Sequence, residues 1–147
     1  MTLAIVPDLA GFLAAGAARR VVSVHTRLLA DDFTAVGLYH QLCGERANTF
    51  LLESAEGGVW SRWSFVGVNA VAALTEVAGR AHWEFAGRPI TGLPEDGDPL
   101  RVLAETLEVL HTPREPDLPP LVSGMVGYLG YDVARRLERL PDSNPDD

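Results

Sequence analysis

The chain has 147 residues, 47% hydrophobic and 22% charged, with a formal net charge of -8 at pH 7. That length suits one domain with its own core, and the acidic field repels a phosphate backbone, which argues against nucleic acid as a partner. The single cysteine, Cys43, excludes an internal disulfide and a thiolate zinc site, and no apolar run reaches the roughly 20 residues that span a bilayer.

From the N-terminus, Leu3 to Ala18 is apolar, but Pro7 and Asp8 interrupt it and no basic residue precedes it. It reads as a poor signal peptide, and the expected location is the cytoplasm. Asp8 followed by Leu9, Phe12 and Leu13 predicts a short capped helix. Val21 to Leu28 alternates, with Val22, Val24 and Thr26 on one side, and predicts a strand. Asp31-Asp32 predicts a turn. Thr34 then caps a helix carrying Val36, Tyr39, Leu42 and Cys43 at helical spacing.

A run of strands is expected next. Thr49 to Glu53 is the first, Ala55 to Gly58 a turn with two glycines, and Trp60 to Val66 the returning strand. Val68 to Val77 and Ala81 to Ala86 form two more, joined at Gly79. The alternation of Ala81 to Phe85 leaves one face of that strand to water. Asp98-Pro99 starts a helix whose stripe is Leu100, Leu103, Leu107 and Leu110. Pro113 to Pro120 is a loop, Leu121 to Leu129 a buried Gly-rich strand, and Asp132 to Leu140 a helix ended by Pro141. The polar tail from Asp142 to Asp147 should fray. Tight turns between strands imply antiparallel pairing, and the class is α+β: a largely antiparallel sheet with a few packed helices.

The best candidate site is the first hairpin. A free amino acid offers an ammonium, a carboxylate and a side chain, so a site for it needs an anion, hydrogen-bonding groups and a shaped slot. Glu53 and Ser54 supply the anion and a hydroxyl at a strand end, Arg62 on the return strand supplies a donor, and Leu51, Leu52 and the tryptophans supply an apolar wall. An ordinary hairpin with a surface Glu and Ser has the same residues, and from the chemistry alone that commoner reading is preferred. The other features read as structural. Gly124, Gly127 and Gly130 lack the Gly-x-Gly turn of a dinucleotide site and suit close packing. His25, His40, His82 and His111 have no metal-ligand spacing, and Cys43 sits on the inner face of a helix. Glu95, Asp96 and Asp98 read as a solvated loop, and Trp60, Trp63 and Trp83 as sheet packing. No activated nucleophile, phosphate loop or metal constellation marks a catalytic centre.

Phe50 to Gly67, FLLESAEGGVWSRWSFVG, strongly resembles the signature hairpin of the large subunit (component I) of anthranilate synthase, a chorismate-utilising enzyme. Thr34 to Leu42, TAVGLYHQL, resembles a second stretch of that family, with Ala35 where Pro is usual. Gly124 to Pro141, GMVGYLGYDVARRLERLP, resembles the end of its N-terminal region. Order and spacing agree from about Val21 onward.

The resemblance implies that residues 1–147 are the N-terminal, tryptophan-sensing regulatory domain of that lyase, an incomplete part of a larger α/β sandwich enzyme. It also implies L-tryptophan as feedback inhibitor at Leu51, Leu52, Glu53 and Ser54, with Arg62 as a less uniform basic contact. Its implied partners are the enzyme's own C-terminal chorismate-binding domain and a glutamine amidotransferase subunit that supplies ammonia. Magnesium is implied for the full-length enzyme, but the family's chorismate and magnesium residues lie in the C-terminal domain. This chain is therefore expected to hold no catalytic or metal residues and to make no anthranilate alone. The alternatives are the matching domain of aminodeoxychorismate synthase component I, which shares the architecture, and a standalone amino-acid-binding module.

Overall fold

The computed structural model describes residues 3–54 and 63–140. Helix α1 spans Leu9–Gly16, and the Asp8 carboxylate accepts from the Gly11 N–H at 2.8 Å, satisfying a backbone donor that the first turn leaves free. Helix α2 spans Ala35–Cys43. The Thr34 hydroxyl caps it by accepting from the Gly37 N–H at 3.0 Å, and Gly44 ends it at φ 55°. Both caps stand where the sequence places them.

Two antiparallel hairpins follow, each a separate two-stranded sheet. Strand β1, Phe50–Glu53, pairs with β2, Ser64–Gly67, and β3, Ala72–Val77, pairs with β4, Arg80–Phe85. Val77 faces Arg80, so Ala78 and Gly79 make the turn, with φ of 50° and 81°. Positive φ at both positions gives the ribbon the right-handed twist of a two-residue hairpin. Helix α2 packs on the first hairpin. Helix α3, Pro99–Val109, packs on the second. Asp98 caps α3 through two backbone donors, Leu100 and Arg101, each at 3.0 Å, with Pro99 in the first turn.

The class is α+β, with antiparallel pairing throughout the named strands. Along β4, Ala81 is buried while His82 and Glu84 are exposed, as the alternation demands. Trp83 donates from its indole N–H to the Pro94 carbonyl at 2.8 Å and stacks on Phe85, with ring centroids 5.9 Å apart. The Ala81 N–H bonds the Gly97 carbonyl at 2.9 Å, which draws the loop before α3 onto the sheet edge.

Five expectations are corrected. The strand over 21–28 reduces to one bridge, in which Val6 and His25 exchange two backbone hydrogen bonds of 2.8 Å. Alternation alone makes no ladder; a strand needs a neighbour along its length. The segment 121–129 is likewise not a strand. Leu129 and Tyr128 are exposed, the latter 94%, and Gly124 turns the backbone to φ 143°. The helix over 132–140 shrinks to a 3-10 turn, Tyr131–Val133, running into a single turn, α4, Ala134–Leu137. No side chain caps either start. The buried face of α3 is centred on Val102 and Thr106 rather than on the leucine stripe, and Leu107 is 48% exposed. Val102 and Thr106 lie one turn apart and face the β3–β4 ribbon, where small branched side chains let the helix approach closely. The strand over 68–77 is shorter than expected and starts at Ala72. The tail from 141 to 147 lies outside the described residues.

An ion-pair network crosses this second half. Arg80 pairs with Asp96, Arg101 with Glu105 at 2.6 Å, and Arg136 with both Glu76 and Asp98. The Arg80 hydrogen bond holds Asp96 below its ordinary carboxylate pKa. The Arg101 backbone N–H, helped by the Arg136 guanidinium, does the same for Asp98. A carboxylate with a depressed folded-state pKa stabilises the fold above its unfolded value and loses that contribution as pH falls through the folded value.

Two outcomes are expected from this arrangement. Val102→Ala should destabilise by about 2 kcal/mol in urea melts, because it removes buried methyl groups. Leu107→Ala should cost less than about 1 kcal/mol. In thermal melts, stability should decline as pH drops below the ordinary aspartate value of 3.8. The double change Asp96→Asn with Asp98→Asn should flatten that decline.

Candidate functional site

The site residues named from sequence begin on β1. Strand alternation puts Leu51 and Glu53 on one face of the ribbon and Leu52 on the other. Leu51 is half-buried, Leu52 is 44% exposed, and Glu53 and Ser54 are exposed at the strand end. Arg62 and the turn expected at 55–58 lie outside the described residues, as does Trp60.

Register decides what faces the carboxylate. Glu53 pairs with Ser64, and ten residues, 54–63, separate the two strands. The Ser64 hydroxyl donates to the Glu53 carboxylate at 3.5 Å. Ser64 belongs to the return strand of the hairpin named from sequence, without a role of its own there. Its place opposite Glu53 follows from the pairing.

The hairpin is fixed at its other end. Phe50 pairs with Gly67, and its ring lies where a Cβ on residue 67 would be. The buried Cys43 thiol, at the end of α2, donates a weak hydrogen bond to the Gly67 carbonyl at 3.8 Å. The Tyr39 hydroxyl, one turn earlier, meets Thr49 Oγ1 at 3.1 Å just before β1. Cys43 is thus core rather than nucleophile, and α2 holds the base of the hairpin while Glu53 and Ser54 project from its far end.

Among the described residues, this arrangement gives an open surface rather than an enclosed pocket. Two clefts open elsewhere. One of about 560 Å³ lies beside His25, Arg27 and Glu115, and one of about 400 Å³ lies beside Glu76, Tyr131 and Arg136. Neither is lined by Leu51 to Ser54. A carboxylate with a hydroxyl beside it can accept an ammonium, but on an open face water competes and the contact is weak. The ligand would need a second wall to exclude solvent.

Among the described residues, no group of three His, Cys, Asp or Glu side chains could hold a metal ion. No helix among them is long and apolar enough to cross a membrane.

No protein-family model matches the chain. Individual proteins do. Over 135 residues, 89% of this chain and 26% of the other, it is 51% identical to anthranilate synthase component 1 of Mycobacterium tuberculosis. The chain is a relative of anthranilate synthase component 1. The protein of that name from Arthrobacter globiformis is 44% identical over 97% of this chain and 27% of its own length. That from Thermus thermophilus is 40% identical over 87% and 26%. The chain therefore spans about a quarter of the length of the anthranilate synthase component 1 proteins it matches.

The hairpin supplies its own test of packing. Gly67→Ala would drive the new methyl into the Phe50 ring and should destabilise by about 1–3 kcal/mol in urea melts. Combining it with Phe50→Leu should recover part of that loss, since the two residues share one volume.

Proposed function

We propose that this chain serves as the N-terminal regulatory part of an anthranilate synthase component 1, in which the β1 strand end forms one wall of a tryptophan site. The observation that carries the reading is the identity of 51% to a protein of that name over nine-tenths of the chain. The chemistry of Glu53, Ser54 and the facing Ser64 supports it. In this reading Glu53 pairs with the inhibitor's ammonium, Ser54 hydrogen-bonds near its polar end, Leu51 and Leu52 border the indole, and Arg62 is a further donor.

The open face explains how such a site could regulate. If the second wall belongs to the rest of a component 1 polypeptide, tryptophan touches both parts at once. A ligand that bridges two parts favours the relative arrangement in which both contacts are made. Inhibition follows when that arrangement is the poorly active one, and linkage requires chorismate to oppose tryptophan in return. The complete enzyme in this reading converts chorismate to anthranilate and pyruvate in the cytoplasm, with magnesium and with ammonia from a glutamine amidotransferase subunit. The chorismate and metal residues lie outside these 147 positions, so the isolated chain should make no anthranilate.

The test is feedback inhibition of the full-length enzyme. A charge-assisted contact contributes about 1.5–3 kcal/mol. Glu53→Ala and Ser54→Ala should therefore raise the tryptophan concentration for half-inhibition about ten- to a hundredfold, with uninhibited turnover retained. Unchanged inhibition in both variants ends the assignment. Calorimetric titration should show tryptophan binding to the full-length protein and weak or no binding to the 147-residue chain.

A further inference from the structure

The last described segment has an unusual attachment. Apart from the 3-10 turn leading into it, no named helix or strand lies against the backbone of α4. The stretch before it, 121–130, forms neither helix nor strand, and Tyr131 is 93% exposed. Between this stretch and strand β3 runs the cleft of about 400 Å³, walled by Glu76 on one side and by residues 130–133, 135 and 136 on the other. The side chain of Arg136 crosses it. Arg136 donates to Glu76 on β3 and, at 2.8 Å, to the carboxylate of Asp98, the cap of α3. Its partners lie 60 and 38 residues away in sequence.

We propose that Arg136 is the clasp of a strap: residues 130–138 dock on the β3–β4 hairpin through its two-carboxylate grip, and the strap opens as a unit when that grip is lost. The planar guanidinium can present separate N–H groups to two acceptors, which a lysine ammonium does with less geometric control. Glu76 and Asp98 belong to different elements, so the clasp closes only when the hairpin and the α3 cap are both in place. The cleft beneath admits water, which makes the attachment electrostatic rather than packed and therefore sensitive to salt. Opening leaves both halves of the receiving surface folded, because β3–β4 and α3 hold each other through Val102, Thr106 and Ala81.

Hydrogen exchange read by mass spectrometry on the full-length protein tests this. Arg136→Ala should speed exchange in 131–138 about fivefold. Peptides covering Ala72–Phe85 and Pro99–Val109 should stay at the wild-type rate. In the wild type, exchange in the strap should rise with ionic strength, and Arg136→Ala should lose that dependence. Arg136→Lys should fall between the two. The double change Glu76→Gln with Asp98→Asn gives an independent reading, since Asn caps a helix as well as Asp does; it should match Arg136→Ala. An unchanged strap rate in these variants overturns the proposal. So does a rise shared equally by the hairpin and α3, which would make Arg136 a general stabiliser.

Discussion

Each ribbon in this chain depends on one helix. A two-stranded hairpin alone is marginal in water, because it has too little surface to bury and both its edges are open. Helix α2 covers the first hairpin and α3 the second, and the fully buried side chains Cys43, Val102 and Thr106 are on those helices. The strand end that carries Glu53 is held in place from the opposite end of its ribbon, through Phe50, Gly67 and Cys43. That end of the strand is thus anchored on a fixed scaffold and open to solvent.

Apolar side chains are exposed at both ends of the described chain. Helix α1 has no buried residue, although Leu9, Phe12 and Leu13 are among its eight. Tyr128, Leu129 and Tyr131 are open to solvent at the other end of the chain.

Charge takes over where packing is thin. The second half of the chain also carries ion pairs of Arg80, Arg101 and Arg136 with Asp96, Glu105, Glu76 and Asp98. The acidic cluster at 95–98, read from sequence as a solvated loop, is solvated, yet two of its members are in use. Asp98 serves both as helix cap and as anchor for Arg136, so a single carboxylate ties local structure to a contact 38 residues away.

What the sequence determined by itself is everything whose cause is local. Asp8, Thr34 and Asp98 each cap a helix because the acceptor and the free N–H lie within three residues. Gly79 marks the join between two strands because glycine takes positive φ freely, and Ala81 to Phe85 alternates because a pleat does. The likeness of Phe50–Gly67 to anthranilate synthase component 1 was also plain from the letters alone. Tertiary structure decided the rest: that Ser64 rather than a nearer residue faces Glu53, that α3 buries Val102 and not Leu107, that 21–28 and 121–129 are not strands, and that Arg136 reaches Glu76 and Asp98. Each of these depends on what lies across a gap from the residue concerned. Pairing register, helix rotation and long-range ion pairs are set by the partner surface, which no window of neighbouring residues contains.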